Sequence, residues 1–144
     1  MLLELNKSTR KKLLKLLKEM VTVTKLDLIA LATKQGVTIA FFSDKDVNSA
    51  IFSAIASGLS ISGAAVTSRM KHGTFQGAIV RGSLGYTILY SVEDFILIGA
   101  SSDFACLGLA ERVIRKYIKM IPQVFSEDRI LELDEMISDL KVLL

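Results

Sequence analysis

The chain has 144 residues, 51% of them hydrophobic and 23% charged, which suits one domain with a real core and excludes a disordered polymer. Its single cysteine excludes an intrachain disulfide and suits a reducing, cytoplasmic setting. The net charge of +3 is polarised, with six basic and two acidic side chains in residues 1–20 and six acidic and two basic in residues 126–144, so the basic total does not by itself point to nucleic acid.

In chain order, residues 7–22 are expected to form a helix. Lys7, Lys11, Lys15 and Lys18 fall on one side and Leu13, Leu16, Leu17 and Met20 on another, with Asn6 or Ser8 as cap. Leucines alternate with Lys and Arg throughout this region, so it has no separate apolar core of the secretory kind. In "KLDLIALATKQGVTIAFFS", Leu26, Leu28, Ala30 and Ala32 share one face and Ile29 and Leu31 the other. Two apolar faces predict a central strand covered on both sides. "TKQG" is a turn signal in which Gly36 takes positive φ, and "VTIAFF" completes a hairpin.

The stretch "SAIFSAIASGLSISGAAVTS", residues 49–68, holds no charge. It predicts a helix from about Asp46 to Met70, capped by Ser43 or Asp44. Ile51, Phe52, Ile55, Leu59 and Val66 cluster on one side and Ser53, Ser57, Ser60, Ala64 and Ser68 on the other. Serines and threonines at regular positions distinguish it from a lipid-facing helix. The large side chains are expected on the domain's own sheet. The small face, depleted of charge, is then covered either by a partner or by the chain's own C-terminal helix.

Three strand-like runs follow, "FQGAIVRG", "YTILYSV" and "DFILIGAS", with turns at residues 82–85 and at Glu93-Asp94, which makes an antiparallel meander. A helix is expected from about Asp103 to Met120, ending before Pro122. From about Ser126, Ile130, Leu133, Ile137, Leu140 and Leu144 mark a further amphipathic helix, with Asp128, Glu132, Glu135 and Asp139 in a parallel acidic stripe. The order is α-ββ-α-βββ-α plus a tail, divided as a domain over residues 1–122 and an acidic helical tail over 123–144.

No catalytic, cofactor or metal site is expected. His72 sits in a Lys-His-Gly turn without metal-ligand spacing around it, and Cys106 lies on an apolar helix face where a structural thiol is expected. The Gly82-Ser83-Leu84-Gly85 turn lacks the Lys-Ser/Thr of a phosphate loop. The first helix has lysines to touch phosphates but no interleaved aromatics to stack bases, so nucleic acid is not favoured. Peripheral contact with anionic lipid stays open.

The joint order of "LDLIALATKQGVTIA", "SAIFSAIASGL", "GAIVRGSLGYTILYSVEDFILIGASSD" and "LGLAERVIRKYI" resembles the Roadblock/dynein light chain family, from about Lys15 to Ile121. Gln35-Gly36 replaces a common Asp-Gly, and the acidic tail is an addition. The resemblance implies a profilin-like or longin-like α/β fold, a five-stranded antiparallel sheet between helices. It also implies a dimer with itself or a paralogue, in which central helices lie side by side and third strands pair edge to edge. That places Ser53, Ser57, Ser60 and Ala64, with Phe75, Gln76, Gly77, Ala78, Ile79, Val80 and Arg81, at the interface. The implied role is a non-enzymatic platform that binds a small Ras-like GTPase and modulates its cycle or assembles its complexes. The competing role is a purely structural light-chain-like subunit that docks through the tail or the lysine-rich helix.

Overall fold

The computed structural model describes residues 6–126. The expected tail helix, with its acidic stripe, lies outside the described residues.

Helix α1 spans Lys7–Thr24. Asn6 caps it by accepting from the Ser8 amide at 2.7 Å, and Lys25, left-handed at φ 58°, ends it. Its leucine side, Leu13, Leu17 and Met20, is fully buried, as the periodicity predicts. Strands β1 (Leu28–Thr33) and β2 (Thr38–Ser43) form the hairpin, with Gly36 at φ 91° in its turn. Helix α2 spans Ser49–Arg69. Strands β3 (Gly77–Gly82), β4 (Gly85–Val92) and β5 (Phe95–Ser101) form the meander. A 3-10 turn over Phe104–Cys106 leads into α3, Leu107–Tyr117.

All strand pairs are antiparallel, and the order β2-β1-β5-β4-β3 puts β5 in the middle and β2 and β3 at the edges. This is the profilin-like α+β sheet, with helices on both faces. Every residue of β1 is buried. Ile29 and Leu31 join Leu97, Ile88 and the apolar sides of α1 and α3 in the larger core. Leu28, Ala30 and Ala32 join Ile96, Ile98 and Leu89 in a second core beneath α2. Leu26 departs from the expected pattern. It precedes the strand and packs into the larger core instead.

Two boundaries differ from the sequence reading. Helix α2 starts three residues later than expected, because Asn48 takes the cap and accepts from the Ile51 amide at 3.1 Å, while the Ser43 hydroxyl engages Lys45. Pro122 does not end the last described helical run. After a break at residues 118–119 the chain is helical again over 120–126, and Pro122 falls in that first turn, where a missing amide proton costs little. Packing carries past residue 122, since the Phe125 ring stacks on Phe95 with centroids 4.5 Å apart.

One carboxylate ties three strand ends together. Asp27 accepts from the Ser102 amide at 2.9 Å and its hydroxyl at 3.1 Å, and pairs with Lys45 at 3.2 Å. The Ser102 amide above all, aided by Lys45, holds this carboxyl below its ordinary 3.8 against the opposing effect of burial. A depressed folded-state pKa gives stability that is complete above the unfolded value and lost as pH falls through the folded one. Asp27→Ala is therefore expected to cost about 1.5–3 kcal/mol at neutral pH. The gap from the parent should shrink once pH drops below 3.8, as read by urea melts at the two conditions.

A candidate docking surface on the second helix and the edge strand

Helix α2 lies across the sheet and touches all five strands. Its N-terminal half is bound to the hairpin by hydroxyls. Thr38 Oγ1 and Ser53 Oγ are 2.7 Å apart, and Thr38 also donates to the Ser49 carbonyl at 3.1 Å. Ser57 Oγ donates to the Lys34 carbonyl at 2.5 Å. Gly36 lets the hairpin turn come this close, because a Cβ there would stand 3.1 Å from the Ala54 Cα and 3.2 Å from the Ser57 Cβ.

These contacts reverse the expected orientation of the helix. Ser53, Ser57 and Ser60 are 0%, 6% and 7% exposed, so within the single chain they face its own sheet and hairpin and not an outside partner. Of the small residues of α2 assigned to an interface, Ala64 alone is exposed. The large side chains expected beneath the helix mostly stand outside. Ile51, Ile55 and Val66 are nearly three-fifths exposed, and Ile61 and Met70, outside the expected set, are as open. Phe52 alone of the expected set packs partly into the smaller core.

The physical reason lies in the surface below. Ala30, Ala32, Ala78 and Ala100 line much of it, so a helix that presents Ser and Ala can approach closely. The Lys34 carbonyl and Thr38 hydroxyl also need partners, which serine supplies and isoleucine does not. Ile51, Ile55, Leu59 and Val66 are the residues that an orientation based on size alone places on the wrong side. The signal available in the sequence is the number of large apolar side chains, which exceeds what one face can bury.

At the far end of α2 the Phe75 ring sits over Gly63, where an added Cβ would collide with it. Phe75 leads into β3, which the sheet order leaves as an edge, as expected. Gln76, Gly77, Ile79, Val80 and Arg81 are exposed and Ala78 half-buried. The Gln76 carbonyl accepts from the Ser91 amide at 2.9 Å. With strict alternation from that pair, the amides of Gly77, Ile79 and Arg81 point away from β4. An apolar helix face and a strand edge thus adjoin, and no charged residue lies between Ser49 and Ser68. That surface can bury apolar area and accept a strand.

By length and composition alone α2 could also cross a bilayer. Its serine bonds to the hairpin give it a place on the sheet instead.

Among the described residues no group of three His, Cys, Asp or Glu side chains could hold a metal. His72 is exposed in the turn after α2. Loss of solvent, and then the Asp103 carboxylate that accepts from it at 3.5 Å, push the Cys106 thiol above its ordinary pKa, so the nucleophilic thiolate is disfavoured.

A family model for the Roadblock/LC7 domain matches residues 12–102. The chain is similar in structure to an MglB solved in a tetrameric arrangement, with TM-score 0.80, 14% identity, and 85% of this chain and 94% of that one covered. It is similar to the gliding protein MglB from Thermus thermophilus, with TM-score 0.79, 15% identity and coverage of 85% and 95%. Profilin IB of Acanthamoeba castellanii matches at TM-score 0.54 and 16% identity over 72% of this chain and 90% of its own. No curated protein sequence matches. With the sheet order, the helices on both faces and the family match over most of its length, the chain belongs to the Roadblock/LC7 domain family.

Proposed function

We propose that the chain is a non-enzymatic, homodimeric scaffold in a reducing cytoplasm, and that the dimer binds a small Ras-like GTPase and modulates its nucleotide cycle or assembles complexes around it. The observation that carries this reading is the outward face of α2, uncharged and apolar, continuous with the bare edge of β3. A second copy related by a two-fold axis would cover both at once, helix beside helix and strand beside strand. The interface residues are then Ile51, Ile55, Leu59 and Val66 with Ala64 from α2, and residues 75–81 from the edge. The serines hold the helix in place from below.

The GTPase partner is supported by the resemblance to the Roadblock family. The dimer would act by preferring one nucleotide state, since only differential affinity shifts a two-state switch. The test is a titration against small GTPases from the same organism, each loaded with GDP or a GTP analogue. The expected result is binding at least about tenfold tighter in one state, a difference of about 1.4 kcal/mol. Lack of binding in both states removes the GTPase reading and leaves the dimer to be judged separately.

A further inference from the structure

No charge lies on α2 before Arg69, and the charges around it gather at its two ends. Asp44 and Asp46 precede the helix, and Arg69 and Lys71 close it. All four are exposed, and among the described residues none of them has an ion-pair partner. Lys45, between the two carboxylates, is instead committed to Asp27 at 3.2 Å. An acidic start and a basic end suit the dipole of the helix itself. The dipole does not explain the glycine in the middle. Gly58 is exposed there, at a place where glycine weakens a helix. A Cβ added to it would meet nothing within 4 Å, whereas Gly63 makes room for the Phe75 ring.

A two-fold axis across α2 lays two copies of the helix antiparallel, so that each residue faces one fixed position of the other copy. Seating Leu59 of each copy beside Gly58 of the other sets the register. Ile51 then faces Val66 of the other copy, Ile55 faces Ser62, and Val47 faces Met70. The exposed apolar side chains of the face close on one another. Just beyond them, Asp44 and Asp46 come against Arg69 and Lys71 of the other copy, at both ends of the pair. A slip of one turn either way takes Leu59 off the glycine and the carboxylates off the cations.

We propose that α2 docks a second copy of this same chain in that register, with the charges at its ends as specificity determinants and Gly58 as the point of closest approach. The register rests on the homodimer reading above and adds the reason the two chains are identical. Each helix carries both halves of the charge match, so a chain with other charges at these ends pairs less well.

The test uses full-chain variants in sedimentation equilibrium at low salt, with native mass spectrometry to tell mixed dimers from like ones. Asp44→Lys with Asp46→Lys makes both ends of α2 positive, and Arg69→Glu with Lys71→Glu makes both negative. Each variant is expected to self-associate at least about tenfold more weakly than the parent, because every end contact turns from attraction to repulsion. Mixed in equal amounts, the two variants should form a mixed dimer as tight as the parent, since each end again joins opposite charges. Added salt should shrink both effects. Gly58→Leu should keep or raise the melting temperature yet weaken self-association at least about tenfold, because the added side chain fills the space that Leu59 of the other copy needs. All five positions are exposed, so the fold is retained. Charge variants that self-associate like the parent, or that fail to pair with each other, overturn the proposal and leave these charges to the helix dipole. Unchanged association of Gly58→Leu overturns it too. A parent that stays monomeric at every concentration removes the homodimer and this register together. A dimeric parent with indifferent variants removes the register alone.

Discussion

Ile55→Glu is expected to leave the fold intact and abolish self-association. Ile55 is 58% exposed in the single chain, so the new carboxylate remains hydrated in the monomer and the melt should shift little. In a two-fold pairing along α2 the substitution enters twice, on surfaces that close against each other. An unpaired charge buried at such a contact costs about 3–5 kcal/mol. That raises the dissociation constant by about two to four powers of ten. Sedimentation equilibrium across a concentration series, with far-ultraviolet circular dichroism as a control, reads both halves of the result. A variant that stays folded and dimeric would move the interface away from this face.

Ser57→Glu is expected to do the opposite, destabilising the single chain itself. Ser57 is 6% exposed, its hydroxyl is bound to the Lys34 carbonyl, and its Cβ packs against the glycine of the hairpin turn. A glutamate there has no room beside the hairpin turn. It also leaves the carbonyl without its donor, an effect worth about 1–3 kcal/mol before the charge is considered. With the buried carboxylate added, the total reaches several kcal/mol, a large share of the roughly 5–15 kcal/mol typical of a domain. Urea denaturation at low protein concentration isolates this from any dimer effect. Neighbouring positions on one helix, two residues apart, should therefore separate association from folding. If Ser57→Glu instead gave a stable monomer, the serine face would be the interface after all.

The fold was largely legible because its signals are local. Two apolar faces over residues 26–32 announced a strand covered from both sides, found at Leu28–Thr33, and the Lys/Leu segregation of residues 7–22 announced a half-buried helix, found at Lys7–Thr24. The meander followed from its turns at residues 82–85 and 93–94. The orientation of α2 was not legible, because it depends on what lies beneath the helix and not on the helix. Periodicity separates Ile51 and Ile55 from Ser53 and Ser57 but does not say which set is inside. The usual assumption that large apolar side chains go inward fails here. Alanines on the sheet favour a close, small-residue contact, and the hairpin offers a carbonyl and a hydroxyl that serines satisfy. The same long-range dependence explains the cap. Asn48 wins over Ser43 because β2 runs through Ser43, whose hydroxyl is committed to the turn that follows.

The reversal strengthens the case for a partner. A face of small residues could have been closed by a few side chains of the same molecule. A row of isoleucines and a valine extending from Ile51 to Val66, about 22 Å of helix, presents far more apolar area to water. Beside it the outward-pointing amides of β3, which no other described strand pairs, are of the kind that proteins otherwise protect.

Hydrogen exchange at Gly77, Ile79 and Arg81, followed by NMR as protein concentration is raised, bears most directly on this account. If a second copy pairs with β3, these three amides slow as the chain associates, while those of Ala78, Val80 and Gly82, already bonded to β4, change far less. Rapid exchange at all three, unchanged at every concentration, would mean that nothing covers this edge and that the second helix does not serve a dimer.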